Sequence, residues 1–248
     1  MFLLSLEGAR KGGDDARASM VAANLCLIHS SRGEYDDAIR YGEMSVKLAN
    51  TSSSSNPLFM ISYTNLADAY VLTGREDEAR ACIEHARRWI GAERRWRIRC
   101  AFLTETAAFA LIEGNVRLAL DLIAQIETLA HGRENAFPLP GAYWKLKIFR
   151  AAHLGRADEI LAAASPLGEF LRTRCPFYYL DLLAARAWFE RRVLGGHTPQ
   201  TVSELEMFTS LEMRGKRALL TAQGFLSPTL VADGPAARPG SAQPTPVV

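Results

Sequence analysis

Only 9% of the residues are aromatic and only four are cysteine, in a chain of 248 of which 48% is hydrophobic. The apolar mass therefore comes mainly from alanine, leucine and similar aliphatic residues, a composition suited to helices that pack through small side chains. Cys26, Cys82, Cys100 and Cys175 lie far apart, with no CxxC pair and no histidine at ligand spacing. That excludes a sequence-local zinc site, and the four read as small buried hydrophobes. An excess of one charge is also missing: 29 basic residues face 27 acidic ones, a net +2. So weak a field selects neither nucleic acid nor an anionic membrane. No stretch approaches the roughly 20 apolar residues of a membrane helix. The apolar opening Met1–Leu6 is ended by Glu7 and has no basic leader, so no signal peptide is expected. These absences lead to the expectation of a reduced, cytoplasmic protein with neither a membrane nor a nucleic-acid partner.

Catalytic signatures are lacking as well. Gly12 and Gly13 belong to no phosphate loop, and the strings GxGxxG, HExxH and GxSxG do not occur. His29, His85, His131, His153 and His197 fall in separate segments. The pairs Asp14–Asp15 and Asp36–Asp37 are sequence neighbours, which point apart on a helix, and they stand where acids favour a helix N-terminus. No catalytic residue, metal or cofactor is expected.

What the chain does have is a ruler of glycines. Gly33, Gly74, Gly114, Gly155 and Gly195 are spaced by 41, 40, 41 and 40 residues. Their flanks repeat too. Seven residues before the first four stand Cys26, Ala67, Ala107 and Ile148; five residues after stand Ala38, Ala79, Ala119 and Ile160. A glycine that ends one helix in a left-handed conformation, with small residues on either side, is the pattern of a helical hairpin whose arms pack closely. Repeated at this period, such hairpins bury their apolar faces on one another. Breaks are expected at the Ser-rich Thr51–Pro57, at Gly91, at His131–Pro140 and at Arg174–Pro176. Ser203 and Glu206 have capping-box spacing and open a last helix, interrupted near Gly215, that should cover the final repeat.

The order Asn24, Leu25, Cys26, Gly33, Tyr35, Ala38, Ile39 resembles a tetratricopeptide repeat, and Asn65, Leu66, Ala67, Tyr70, Gly74, Ala79 matches nearly as well. The third and fourth units keep the glycine and the small positions but lose the tyrosines. The fifth is degenerate, with Gly195 doubled by Gly196 and Gln200 in place of alanine. The period of about 40 exceeds the 34 of the standard unit and is similar to that of the long-helix variants. The resemblance implies an all-α, right-handed superhelical solenoid of antiparallel helix pairs. Residues 1–13 would form a partial helix or cap, residues 14–226 about five pairs, and residues 227–248, with five prolines, a disordered tail.

The resemblance also implies that the first helix of each pair lines a concave groove. This places Ala23, Leu27, Thr64, Asp68, Thr104, Ala108, Lys145 and Phe149 along it, with Asn65, Glu105 and His153 near its edge. A clamp for a terminal carboxylate needs basic and asparagine residues across three repeats, and here only Asn65 matches. A mixed, moderately apolar groove suits an extended peptide or a partner helix. A second candidate is the cluster Arg87, Arg88, Arg94, Arg95, Arg97 and Arg99 around Trp89 and Trp96. Arginines and aromatics together hold anions, whereas the plainer reading is a solvated junction whose charges complement a helix end. The function expected is a non-enzymatic scaffold for a protein or peptide partner, with homo-oligomerisation left open. The alternatives are a sensor module of a bacterial signalling or transcription regulator and, third, an enzyme of a biosynthetic pathway on a helical-repeat fold.

Overall fold

The computed structural model describes residues 2–51, 58–90, 93–133, 140–209 and 213–226. The breaks expected over Ser52–Pro57 and at Gly91, most of the loop before Pro140, and the tail from Ser227 lie outside the described residues. Among those described there are twelve helices and no strand: α1 (Phe2–Lys11), α2 (Asp15–Arg32), α3 (Tyr35–Thr51), α4 (Leu58–Leu72), α5 (Glu76–Ile90), α6 (Trp96–Ile112), α7 (Val116–Ala130), α8 (Pro140–His153), α9 (Ala157–Arg174), α10 (Pro176–Leu194), α11 (Pro199–Thr209) and α12 (Arg214–Ala222).

Local chemistry sets the helix ends. Asp14 Oδ1 accepts from Arg17 N at 2.9 Å and Asn115 Oδ1 from Leu118 N at 3.1 Å, which satisfies backbone donors at the starts of α2 and α7. Pro176 opens α10 where its missing N–H costs nothing. All five glycines of the ruler have positive φ, between 69° and 80°, so each stops a helix in the conformation that only glycine adopts without strain. Helix α11 begins at Pro199 rather than at the Ser203 capping box. Thr198 Oγ1 accepts from Thr201 N at 3.3 Å and supplies the cap five residues earlier.

The helices pair as α2/α3, α4/α5, α6/α7, α8/α9 and α10/α11, and the first members stack in the order α2, α4, α6, α8, α10. The small residues of the repeat are the seam. Ala22, Cys26, Ala38, Ala79, Ala107 and Ala119 are completely buried. Between the first two pairs the seam is also polar: Ser45 Oγ lies 2.6 Å from Ser62 Oγ, while Ser19 and Ser45 each donate to the other's carbonyl at 2.9 and 2.8 Å. Three buried hydroxyls thus satisfy one another and fix the register of α2, α3 and α4.

The last helix departs from expectation. Rather than covering the final repeat alone, α12 packs against α2 and α4, at the opposite end of the solenoid. The interruption expected near Gly215 falls just before it, since α11 ends at Thr209 and α12 begins at Arg214; Gly215 is the second residue of α12, where its backbone touches that of Ser30 in α2 and a Cβ would collide with the Ser30 carbonyl. The chain therefore crosses its own concave face and returns to its first repeat.

Overpacking the seam tests this arrangement. Ala79→Trp and Ala119→Trp should each cost about 1 to 3 kcal/mol, because the neighbouring helix can yield only by moving its backbone. Urea unfolding measures this, and melting like the parent protein would contradict the seam.

Candidate functional site

Closing the concave face with α12 turns a groove into a cavity of about 670 Å³. Its walls come from α2 (Leu27, Ser30), α4 (Met60, Ile61, Thr64, Asn65, Asp68), α6 (Ala101, Thr104, Glu105, Ala108), α8 (Lys145, Leu146), α10 (Phe177, Tyr178, Asp181) and α12 (Gly215, Lys216, Leu219). Each of the five stacked first helices contributes, which follows from the 40-residue period: Thr64, Thr104 and Lys145 each stand ten residues before the glycine of their repeat.

The charges inside are organised around Asp181. Its carboxylate lies 3.1 Å from Lys145 Nζ and 2.9 Å from Lys216 Nζ, and all three side chains are nearly sealed from solvent. The close approach of α8 and α10 makes this possible, since Gly141, one turn before Lys145, leaves its Cβ space to the Tyr178 carbonyl. Lys145 Nζ also donates to Gln223 Oε1 at 2.6 Å. Burial alone would raise the pKa of Asp181, but Lys216 and Lys145 outweigh it and hold the carboxyl below its usual value. The two lysines diverge. Burial pulls Lys145 down despite Asp181, whereas Lys216, although equally desolvated, is raised by Asp181, Glu105 and Asp68.

Asp68 and Glu105 face the same cavity. Among the described residues neither has a hydrogen-bond or ion-pair partner, and each is half-buried at the cavity wall. Burial, and then repulsion by Glu105, raises Asp68 well above an ordinary carboxyl; burial likewise raises Glu105, with Lys216 and Lys145 offsetting part of it.

The structure brings together most of the groove residues read from the sequence, with different roles. Thr64 and Thr104 line the cavity but give their hydroxyls to backbone carbonyls of their own helices, Ile61 O at 3.2 Å and Cys100 O at 2.8 Å. Asn65 donates to the Ala23 carbonyl at 2.9 Å, joining α4 to α2, and so engages Ala23 through its backbone. Glu105 lines the cavity itself and is half-buried there. Phe149 and His153 are misplaced: they stack with Trp188, and Phe149 also meets Phe225. One and two turns beyond Lys145, they have advanced about 6 and 12 Å along α8, beneath the segment that follows α12. Phe149 is core, so replacing it, or the buried Lys145, is no neutral probe of a surface.

The arginines divide into two groups. Arg87 and Arg88 end α5, where cations complement the helix dipole, and Arg87 meets Glu84 at 3.3 Å. Arg95 is held by Glu93 at 2.7 Å. Arg97 and Arg99 sit in the first turn of α6, where the dipole disfavours them, so the plain reading explains only half of the cluster. Arg95, Trp96 and Arg97 border the cavity; the arginines of the cluster are all exposed.

Asp181, Lys216, Ser30 and Gly215 escaped the sequence reading. Asp181 had a signal, as the one acid in the apolar stretch Phe177–Ala185. Lys216 had none, because nothing local says that a helix more than 180 residues downstream returns to α2.

Residues 14–89, covering α2 to α5, match the family model of the tetratricopeptide repeat. No curated protein and no solved structure gives a significant match. Among the described residues no helix is long and apolar enough to cross a membrane.

Two substitutions and an exposed control separate the ionic knot from the unpaired acids. Lys145→Ala should cost about 3 to 5 kcal/mol in urea unfolding, as expected when a buried pair loses one partner. The exposed Lys47→Ala should change stability by less than about 0.5 kcal/mol. Asp68 behaves oppositely. Its raised folded pKa means that the folded state binds the proton more tightly than the unfolded chain. That contribution is fully present below the unfolded carboxyl value and is lost as pH rises through the folded one. Asp68→Asn should therefore raise the melting temperature at pH 7.5 and leave it nearly unchanged at pH 3.5. A melting temperature lowered at pH 7.5 would show that the carboxylate has a stabilising partner.

Proposed function

We propose, on the premise that residues 14–89 are tetratricopeptide repeats, which generally serve as protein-interaction scaffolds, that this chain receives a segment of a protein partner in its closed concave cavity. The observation that carries the proposal is the convergence of side chains from all five first helices on one cavity of about 670 Å³, within the range that encloses ligands of modest size. Ile61, 40% exposed, and Trp96 present apolar surface beside it, and a few such anchors normally dominate affinity. The exposed Arg94, Arg97 and Arg99 give the neighbouring surface a positive rim that favours acidic residues flanking the inserted segment. Four free thiols, three of them buried, suit a reducing compartment.

The sensor reading has one observation of its own. Helix α12 touches α2 and α4 while Lys216 holds α10, so an occupant that displaced α12 would change how the first and last repeats are joined. The enzyme reading gains no comparable support.

Filling the cavity tests the scaffold. Peptides selected against the parent protein from a random library should lose at least tenfold in affinity, by calorimetry, to Ala101→Trp, which places an indole in the cavity from a half-buried position on α6. Unchanged affinity in a folded Ala101→Trp would place recognition elsewhere.

A further inference from the structure

We infer that the cavity receives one monovalent organic cation carried on an apolar stem, with the charged group taken by Asp68 and Glu105. The inference rests on the cavity being the binding site and names the chemistry of what enters it.

Charge comes first. Three carboxylates, Asp68, Glu105 and Asp181, face two ammonium groups, Lys145 and Lys216, and both lysines are in contact with Asp181. The cavity lacks one positive charge, and the deficit falls on the two acids that have no partner among the described residues. Arg95 and Arg97 do not remove it: both are exposed, and Arg95 is already paired with Glu93. A half-buried carboxylate without a partner is disfavoured, and protonation relieves it only by giving up its charge. An entering cation removes the same cost and leaves both acids as acceptors. An anion would worsen the deficit.

The second observation is an independent polar vacancy. Ser30 is 5% exposed, and its hydroxyl lacks a hydrogen-bond partner although it belongs to the cavity wall. The neighbouring Cys26 thiol donates to the Asn65 carbonyl at 3.4 Å. Buried hydroxyls are ordinarily paired, so this one indicates a polar group that arrives with the occupant.

The third concerns shape and ligand class. Most of the remaining wall is apolar, with Leu27, Met60, Ile61, Phe102, Leu146 and Leu219, which suits a hydrocarbon stem rather than a hydrated ion. Among the described residues no three His, Cys, Asp or Glu side chains come together as metal ligands would, so the donor set fits an organic cation and not a metal ion. The same chemistry reaches a protein cavity either as a free amine or as a lysine side chain of a partner.

Calorimetry on the full chain tests this with n-hexylammonium, n-hexanol and hexanoate, and separately with an acetylated, amidated apolar hexapeptide containing one lysine and with its norleucine counterpart. The expected result is that hexylammonium binds at least tenfold more tightly than hexanol, that hexanoate does not bind, and that Asp68→Asn and Glu105→Gln each remove at least tenfold of the hexylammonium affinity. Both variants are to be shown folded by circular dichroism. Equal binding of hexylammonium and hexanol, or affinity unaltered in both variants, overturns the inference. If hexylammonium is selected but the lysine peptide does not bind, the cation site stands and the protein-scaffold reading of this cavity falls. If the lysine and norleucine peptides bind equally, the scaffold stands and the cation site falls.

Discussion

One buried carboxylate, Asp181, ties the two halves of the concave face together. It lies on α10, faces Lys145 on α8 and draws Lys216, and with it α12, across the open side of the solenoid. A repeat protein without such a tie is quasi-one-dimensional, each unit touching only its neighbours. Here the contact of Gly215 with Ser30 completes the circuit, so the first and last repeats share a helix. Hydrophobic burial of Leu219, Leu220, Phe225 and Leu226 supplies attraction without direction. The ionic contacts and the backbone contact decide where α12 lies.

The same closure creates the electrostatic tension inside. Asp68 and Glu105 would be ordinary solvated acids on the concave face of an open solenoid. Beneath α12 they are half-buried at the cavity wall, and the nearby lysines contact Asp181 instead of them. Their destabilisation is therefore a consequence of topology rather than of any local sequence choice. A chain shaped for stability alone would carry neutral residues at these places, and retaining the acids is what gives the cavity a preference for charge.

The repeats were legible because they rest on local chemistry. A glycine with positive φ and an alanine at a helix crossing leave their marks at fixed spacing, and Gly33, Gly74, Gly114, Gly155 and Gly195 mark five helix ends. The concave placement of Thr64, Asp68, Thr104 and Lys145 was legible for the same reason, as the period maps equivalent positions to one face. Phe149 lies one turn too far along α8, and its fate depended on Phe225, which no repeat position specifies. The closure itself was invisible: the break near Gly215 could be read, but nothing in the sequence says that its missing side chain makes room for the Ser30 carbonyl. Long-range packing decided these cases, and helical periodicity carries no record of it.

The central claim is that α12 closes the solenoid by docking on α2, and amide hydrogen exchange in parent protein and Gly215→Ala tests it most directly. Alanine is the better helix former by roughly 0.5 to 1 kcal/mol, so any loosening must come from the collision with Ser30 rather than from helix propensity. The account predicts that residues 214–222 and the C-terminal half of α2 exchange faster together in Gly215→Ala, while α7 keeps its parental protection. Parental protection of α12 in that variant, or faster exchange of α12 with α2 unchanged, would contradict it.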